Sequence, residues 1–234
     1  MSGTVWGLGV GPGDPELLTL KAVRLLRAAP VIAYPAPEEG DSFARAIVSP
    51  HLPGGQEEIA IRMPIGDGQF PKGNIYDRAA VRIADHAAAG RDVAVLCEGD
   101  PFFYGSFMYL YARLIARCPV RVVPGVSSLM ACADASGAPL AARNDTLTVI
   151  PAPLPEDELR ARLVASEAAA VIKVGRHLGK LRRILDALGM VERARYIERA
   201  TLDRQRILPL AEVTGEGAPY FSMVLVHSRG DAWR

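Results

Sequence analysis

The residues best placed to do chemistry stand together in Glu98-Gly-Asp-Pro-Phe-Phe-Tyr-Gly105. They follow a run from Asp92 to Cys97 made of Val, Ala and Leu with no polar break. Such a run reads as a strand covered on both faces, as in a parallel sheet. Pro101 has no N–H to give a ladder and stops the strand. Gly99 lets a ligand approach the main chain. Open α/β sheets bind ligands beyond the carboxyl ends of their strands, so this loop is a candidate site. The same residues could equally form a plain strand–helix turn. Within the loop, Glu98 and Tyr104 are the candidate groups for moving a proton.

A second candidate is the glycine loop Gly7-Leu-Gly-Val-Gly-Pro-Gly-Asp-Pro15, which follows a short apolar strand, Thr4 to Val10. It does not complete G-x-G-x-x-G: Pro12 or Asp14 occupies the third required position, depending on the frame. Tyr34-Pro35 stands where a ribose-binding acid would close a dinucleotide site, and there is no Gly-Lys-Ser/Thr. A nicotinamide enzyme and a Walker P-loop are both disfavoured. Asp14 suits an N-cap and Pro15 a first helical position, so a helix is expected from there to Ala29.

The elements that must position these loops alternate along the chain. Strands are expected at Val31–Tyr34, Val120–Val123, Thr146–Ile150, Ala169–Val174, Arg195–Glu198 and Tyr220–Val226, and helices at Asn74–Ala89, Phe103–Arg117, Glu156–Ala165 and Leu178–Leu188. Strand–helix–strand order builds parallel sheets. Pro35 to Gly73, rich in Pro, Gly and charge, reads as a variable flap with one helix near Ser42–Val48. Ser127 or Ser128 can cap the helix that follows Val123-Pro-Gly-Val. Residues 1–123 and 124–234 are expected to form two α/β domains, with the small-residue stretch Met130–Ala142 at the junction.

Composition excludes several classes. The 234 residues carry a net charge of +1, which does not suit a general nucleic-acid binder. Three cysteines without Cys-x-x-Cys spacing build neither a disulfide framework nor a zinc site, and no metal is expected. No apolar run reaches the ~18 residues of a membrane span and no secretory signal is visible, so a cytoplasmic protein is expected. The charge is uneven, however: residues 172–206 hold ten basic residues against four acids. That stretch is either a solvated face or a surface for an anionic partner.

Four segments, in this order and spacing, resemble one family. They are Gly7-x-Gly-x-Gly-Pro-Gly-Asp-Pro-Glu-Leu-Leu-Thr19, Glu98-Gly-Asp-Pro-Phe-Phe-Tyr-Gly105, Val123-Pro-Gly-Val-Ser-Ser128 and Tyr196-Ile-Glu-Arg-Ala-Thr201. Together they resemble the tetrapyrrole (precorrin-type) methyltransferases that use S-adenosylmethionine, over nearly the whole chain. Gly105-Ser-Phe-Met-Tyr-Leu110 and Pro219-Tyr-Phe-Ser-Met-Val224 resemble, within that family, the precorrin-2 C(20)-methyltransferases of corrin and cobalamin synthesis.

The resemblance implies two α/β domains with a ligand cleft between them, a homodimer, and S-adenosylmethionine in the cleft with S-adenosylhomocysteine as product. Glu98, Gly99, Asp100 and Phe103 would touch it from one side, with Ser127 and Ser128 beside it. Val174, Ala200 and Thr201 would hold the adenosine. The glycine loop, with Gly9, Gly11, Pro12 and Asp14, would face the tetrapyrrole. Many relatives carry a second Gly where this chain has Glu98, which adds a carboxylate here. Another tetrapyrrole carbon, a cobalt-containing substrate, an RNA ribose and a non-catalytic carrier role are the alternatives.

Overall fold

The structure, a computed structural model, describes residues 2–63 and 74–229. The chain divides into two compact units, Met1–Ser127 and Ser128–Arg234, each taken by itself below. The division falls four residues beyond the expected 123/124 boundary. The physical reason is Gly125, whose N–H donates to Asp100 Oδ2 at 3.0 Å and so ties residues after Val123 to the first unit.

The first unit is built on five parallel strands: β1 (Val5–Gly9), β2 (Val31–Pro37), β3 (Glu57–Met63), β4 (Val93–Cys97) and β5 (Val120–Val123), in the order β3-β2-β4-β1-β5. All five residues of β4 are buried, as its unbroken apolar run requires. Its alternate side chains feed two cores. Ala94 and Leu96 pack with α1 (Leu20–Ala28) and α2 (Phe43–Val48), while Val93, Val95 and Cys97 pack with α3 (Asn74–Ala88) and α4 (Phe107–Leu114).

Three expectations change here. The helix expected from Pro15 starts at Leu20: Asp14 caps only a single tight turn, Pro15–Leu17, and Leu18 is extended. Thr19 then caps α1, its Oγ1 accepting from Ala22 N at 3.2 Å. α4 begins at Phe107, four residues later than expected, because Tyr104 has a positive φ of 57°. The flap contains α2 as expected but also β3, an edge strand paired with β2 over seven residues. Only Ile59 and Ile61 of β3 are buried. Glu58 links this strand to Tyr34 Oη (2.6 Å) and, through two bonds, to Arg45 on α2 (3.0 and 2.9 Å). Residues 64–73 of the expected flap lie outside the described residues.

The second unit holds a mixed sheet in the order β6-β7-β10-β8-β9. Its strands are β6 (Leu147–Pro151), β7 (Ala168–Ile172), β8 (Ala194–Glu198), β9 (Arg206–Pro209) and β10 (Ser222–His227). β6 and β7 are parallel; β10 runs antiparallel between β7 and β8, and β9 antiparallel to β8. One face is covered by α6 (Glu156–Val164) and α7 (Leu178–Ala187) through Leu159, Leu163, Leu181 and Ile184. The other face packs on α5 (Ser128–Ala135), where Leu129 and Cys132 meet Ala170, Ile197 and Leu225. Much of the stretch expected as a junction is therefore this helix. Among the described residues no helix is long and apolar enough to cross a membrane.

Candidate functional site

In the first unit, three loops meet beyond the carboxyl ends of β1, β4 and β5. Gly11 and Gly99 form an antiparallel bridge, with Gly99 N donating to Gly11 O at 2.8 Å. A Cβ on Gly125 would stand 2.1 Å from Gly99 O, and one on Gly9 would stand 2.5 Å from Gly125 N. No side chain fits where main chain meets main chain at such distances, so these two positions need glycine. Asp100 completes the junction, accepting from Phe102 N at 2.9 Å and from Gly125 N at 3.0 Å. Its two oxygens thus fix the loop they belong to and the loop after β5.

That junction presents a group of side chains outward. Phe103 and Tyr104 are 38% and 47% exposed, their rings edge-on at 5.1 Å. Tyr104 holds its left-handed backbone without being glycine, a state that costs on the order of 1–3 kcal/mol and recurs at functional sites. Glu98 lies half-buried at the head of the loop. Burial pushes its carboxyl above the usual range, while the amides of Glu98 itself and of Ala44 on α2 pull the other way. Cys97 just before it is buried, its thiol pushed up to about 11 by burial and by the neighbouring Glu98 carboxylate.

Of the four residues expected to face substrate, Gly9 and Gly11 are engaged with Gly125 and Gly99 as described. Pro12 and Asp14 are half-buried, and Asp14 Oδ1 accepts from Glu16 N at 2.8 Å. Ser127 ends the first unit and Ser128 opens α5 in the second.

In the second unit, the residues expected at adenosine sit at one end of the sheet. β7 ends at Ile172 and β8 at Glu198, on either side of the start of β10 at Ser222. Left-handed, non-glycine backbone gathers there: Lys173 (φ 57°), Arg199 (φ 51°) and Thr201 (φ 69°). Val174 is fully buried in the core. Ala200 is buried as well, and Thr201 is half-buried, its N–H held by Gln205 Oε1 at 2.8 Å.

The first surface combines close main-chain approach at Gly9, Gly99 and Gly125 with exposed aromatic rings, and the second gathers left-handed main chain beside a half-buried Thr201. Among the described residues no group of three or more His, Cys, Asp and Glu could hold a metal ion. Two features escaped the sequence reading. The Gly9–Gly125 approach joins residues far apart in sequence and leaves no local periodicity. Glu198 is visible only as one letter of a motif, yet it is a buried carboxylate at the end of its strand.

Comparison with known proteins gives this geometry a context. A 44% identical relative over 232 residues is the precorrin-2 C(20)-methyltransferase of a Sinorhizobium species, with 96% of this chain and 95% of that protein aligned. The cobalamin biosynthesis protein CobIJ of Mycobacterium tuberculosis (strain ATCC 25618 / H37Rv) is also 44% identical over 96% of this chain. This chain spans about half the length of that relative, 46%. Among solved structures, uroporphyrin-III C-methyltransferase from Thermus thermophilus complexed with S-adenyl homocysteine is 29% identical, with a TM-score of 0.70 over 96% of this chain and 97% of that one. The family model for tetrapyrrole (corrin/porphyrin) methylases matches residues 4–214. With a match over most of its length, and with glycine-lined loops beyond the strands of its first unit, the chain belongs to the tetrapyrrole methylases.

Proposed function

We propose that the protein is an S-adenosylmethionine-dependent C-methyltransferase acting at C(20) of precorrin-2, in corrin and cobalamin biosynthesis. The observation that carries this reading is the near end-to-end match to the Sinorhizobium precorrin-2 C(20)-methyltransferase. When bound, the donor supplies a methyl group on a sulfonium, to be displaced in line by an electron-rich meso carbon. Positioning is then the protein's main contribution, worth ~7–11 kcal/mol for a pose near attack geometry.

The chain's residues divide that work. Gly99 and Phe103 would hold the donor at the first unit, on a loop that Asp100 keeps rigid through Gly125. Val174, Ala200 and Thr201 would hold its adenosine at the second. Ser127 and Ser128 would lie beside the donor. Pro12 and Asp14 would meet the macrocycle. Tyr104 and Glu98 would take up the proton that the methylated carbon sheds. Glu98 suits a proton acceptor because burial raises the basicity of its carboxylate.

The same proposal includes a homodimer, implied by the family resemblance, and a cytoplasmic setting. Light scattering on the purified chain should give twice the monomer mass. The cobalt-containing precorrin-2 is the second reading. The decisive experiment supplies 13C-methyl donor with metal-free and cobalt-containing precorrin-2 in turn and reads the product by NMR. A single labelled methyl at C(20) is expected. Label at another carbon, or no transfer to either ring, would overturn the assignment.

A further inference from the structure

The strained turn after β8 has a built foundation. Glu198, the last residue of β8, is only 3% exposed. Its Oε2 accepts from Tyr196 Oη at 2.6 Å, two residues back on the same face of the strand. Its Oε1 lies 3.4 Å from an Nη1 of Arg199 and 3.4 Å from an Nη1 of Arg206, its cross-strand partner on β9. Burying a carboxylate is unfavourable unless it is paired and hydrogen-bonded, and this one has both kinds of partner. Tyr196 shows the same coupling: burial and the Glu198 carboxylate raise its phenol well above the ordinary tyrosine range.

Two of the next three residues adopt backbone that ordinary side chains resist. Arg199 and Thr201 both have positive φ, and the turn closes through Leu202 N to Arg199 O at 3.0 Å. Arg199 N donates to Phe221 O at 2.8 Å, fixing the other flank. Left-handed non-glycine residues persist only where the surroundings over-determine them. The Arg199 side chain folds back onto the carboxylate that precedes it, and Arg206 reaches the same oxygen from the neighbouring strand.

We infer that Glu198 is a positioning residue: clamped by Tyr196, Arg199 and Arg206, its buried carboxylate holds the Arg199–Thr201 turn in the shape that receives the donor's adenosine. This rests on the proposal that Ala200 and Thr201 meet the donor. Glu198 itself touches neither donor nor substrate. Its effect is on how well the turn is formed before the donor arrives, which is a binding effect and not a chemical one.

The test compares the purified full chain with Tyr196→Phe, Arg206→Ala, Arg206→Lys and the distant control Arg183→Ala. Arg183 pairs with Glu216 elsewhere in the second unit. S-adenosylhomocysteine affinity is read by calorimetry, folding by melting temperature, and KM for S-adenosylmethionine against kcat by methyl transfer to the tetrapyrrole. Tyr196→Phe should weaken S-adenosylhomocysteine about tenfold, a loss the size of one charged hydrogen bond. Arg206→Ala alters an exposed side chain and should fold normally even if Tyr196→Phe does not. It should weaken binding about threefold, with Arg206→Lys restoring most of the loss. KM should rise while kcat at saturating donor stays put.

If the parent chain binds S-adenosylhomocysteine and the folded variants bind it equally well, the positioning role is wrong while the donor-site proposal survives, even if melting temperatures fall. A kcat loss with unchanged donor affinity would also overturn it. No binding by the parent chain would bring down both.

Discussion

At the scale of single residues, Tyr104 and Glu98 divide cleanly in what they should reveal. Tyr104 keeps its ring exposed on strained backbone, so its value lies in where the hydroxyl is held. Tyr104→Phe should lower kcat by about a hundredfold, the lower range for lost acid–base help, and leave S-adenosylhomocysteine affinity within about twofold. Glu98 makes a pH statement. A carboxyl whose native pKa lies above its unfolded value favours folding below the unfolded pKa and loses that advantage as pH rises through the native pKa. Glu98→Gln lacks this loss. Its melting temperature relative to the parent should therefore increase as pH rises from about 4, the ordinary carboxyl range, and a constant or falling difference would contradict the raised pKa.

At the scale of elements, continuous patterns were readable and interrupted ones were not. β4 and α3 announce themselves, the first by an unbroken apolar run and the second by Ala79, Ile83 and Ala87 on one face. β3 and β9 do not. Both are sheet edges that carry charge and little buried surface, and β3 lies in a stretch rich in Pro and Gly, a pattern that also fits a loop. α1 and α4 were begun too early because Leu17, Leu18 and Tyr104 fall at helical spacing while their backbone is turned or extended. The site loops were legible as segments, and what held them together was not. Gly125 tests that hidden part. Gly125→Ala places a methyl 2.1 Å from the Gly99 carbonyl oxygen, which is main chain and cannot swing aside. It should destabilise the protein by about 2–3 kcal/mol, a melting-temperature drop of roughly 4–12 °C at this chain length. A loss below about 1 kcal/mol would mean the junction is looser than drawn.

At the scale of the whole molecule, the basic stretch is less available than its count suggests. Lys180 donates to Leu154 O, Arg182 to Gly215 O and Arg193 to Ser228 O, Arg183 pairs with Glu216, and Arg199 and Arg206 share Glu198. At least six of the ten cations therefore have local partners, and the net charge of the chain is only +1. Tetrapyrrole affinity should fall with salt, by about tenfold or less between roughly 0.05 and 0.5 M, since few cations remain to meet its carboxylates. Titration of substrate binding at several salt concentrations checks this, and a flat response would assign the stretch to ordinary surface.

Cys97 brings a hazard that the fold disarms. Its sulfur lies close behind Gly105, 2.8 Å from where a Cβ would be, at the back of the loop proposed to carry an alkylating agent. A thiolate there would be a soft rival for the transferable carbon, and its capture would poison the catalyst permanently. With the thiol pushed up to about 11, that anion is scarce near neutral pH. Dry packing thus keeps a sulfur nucleophile latent at the back of the loop proposed to hold the donor.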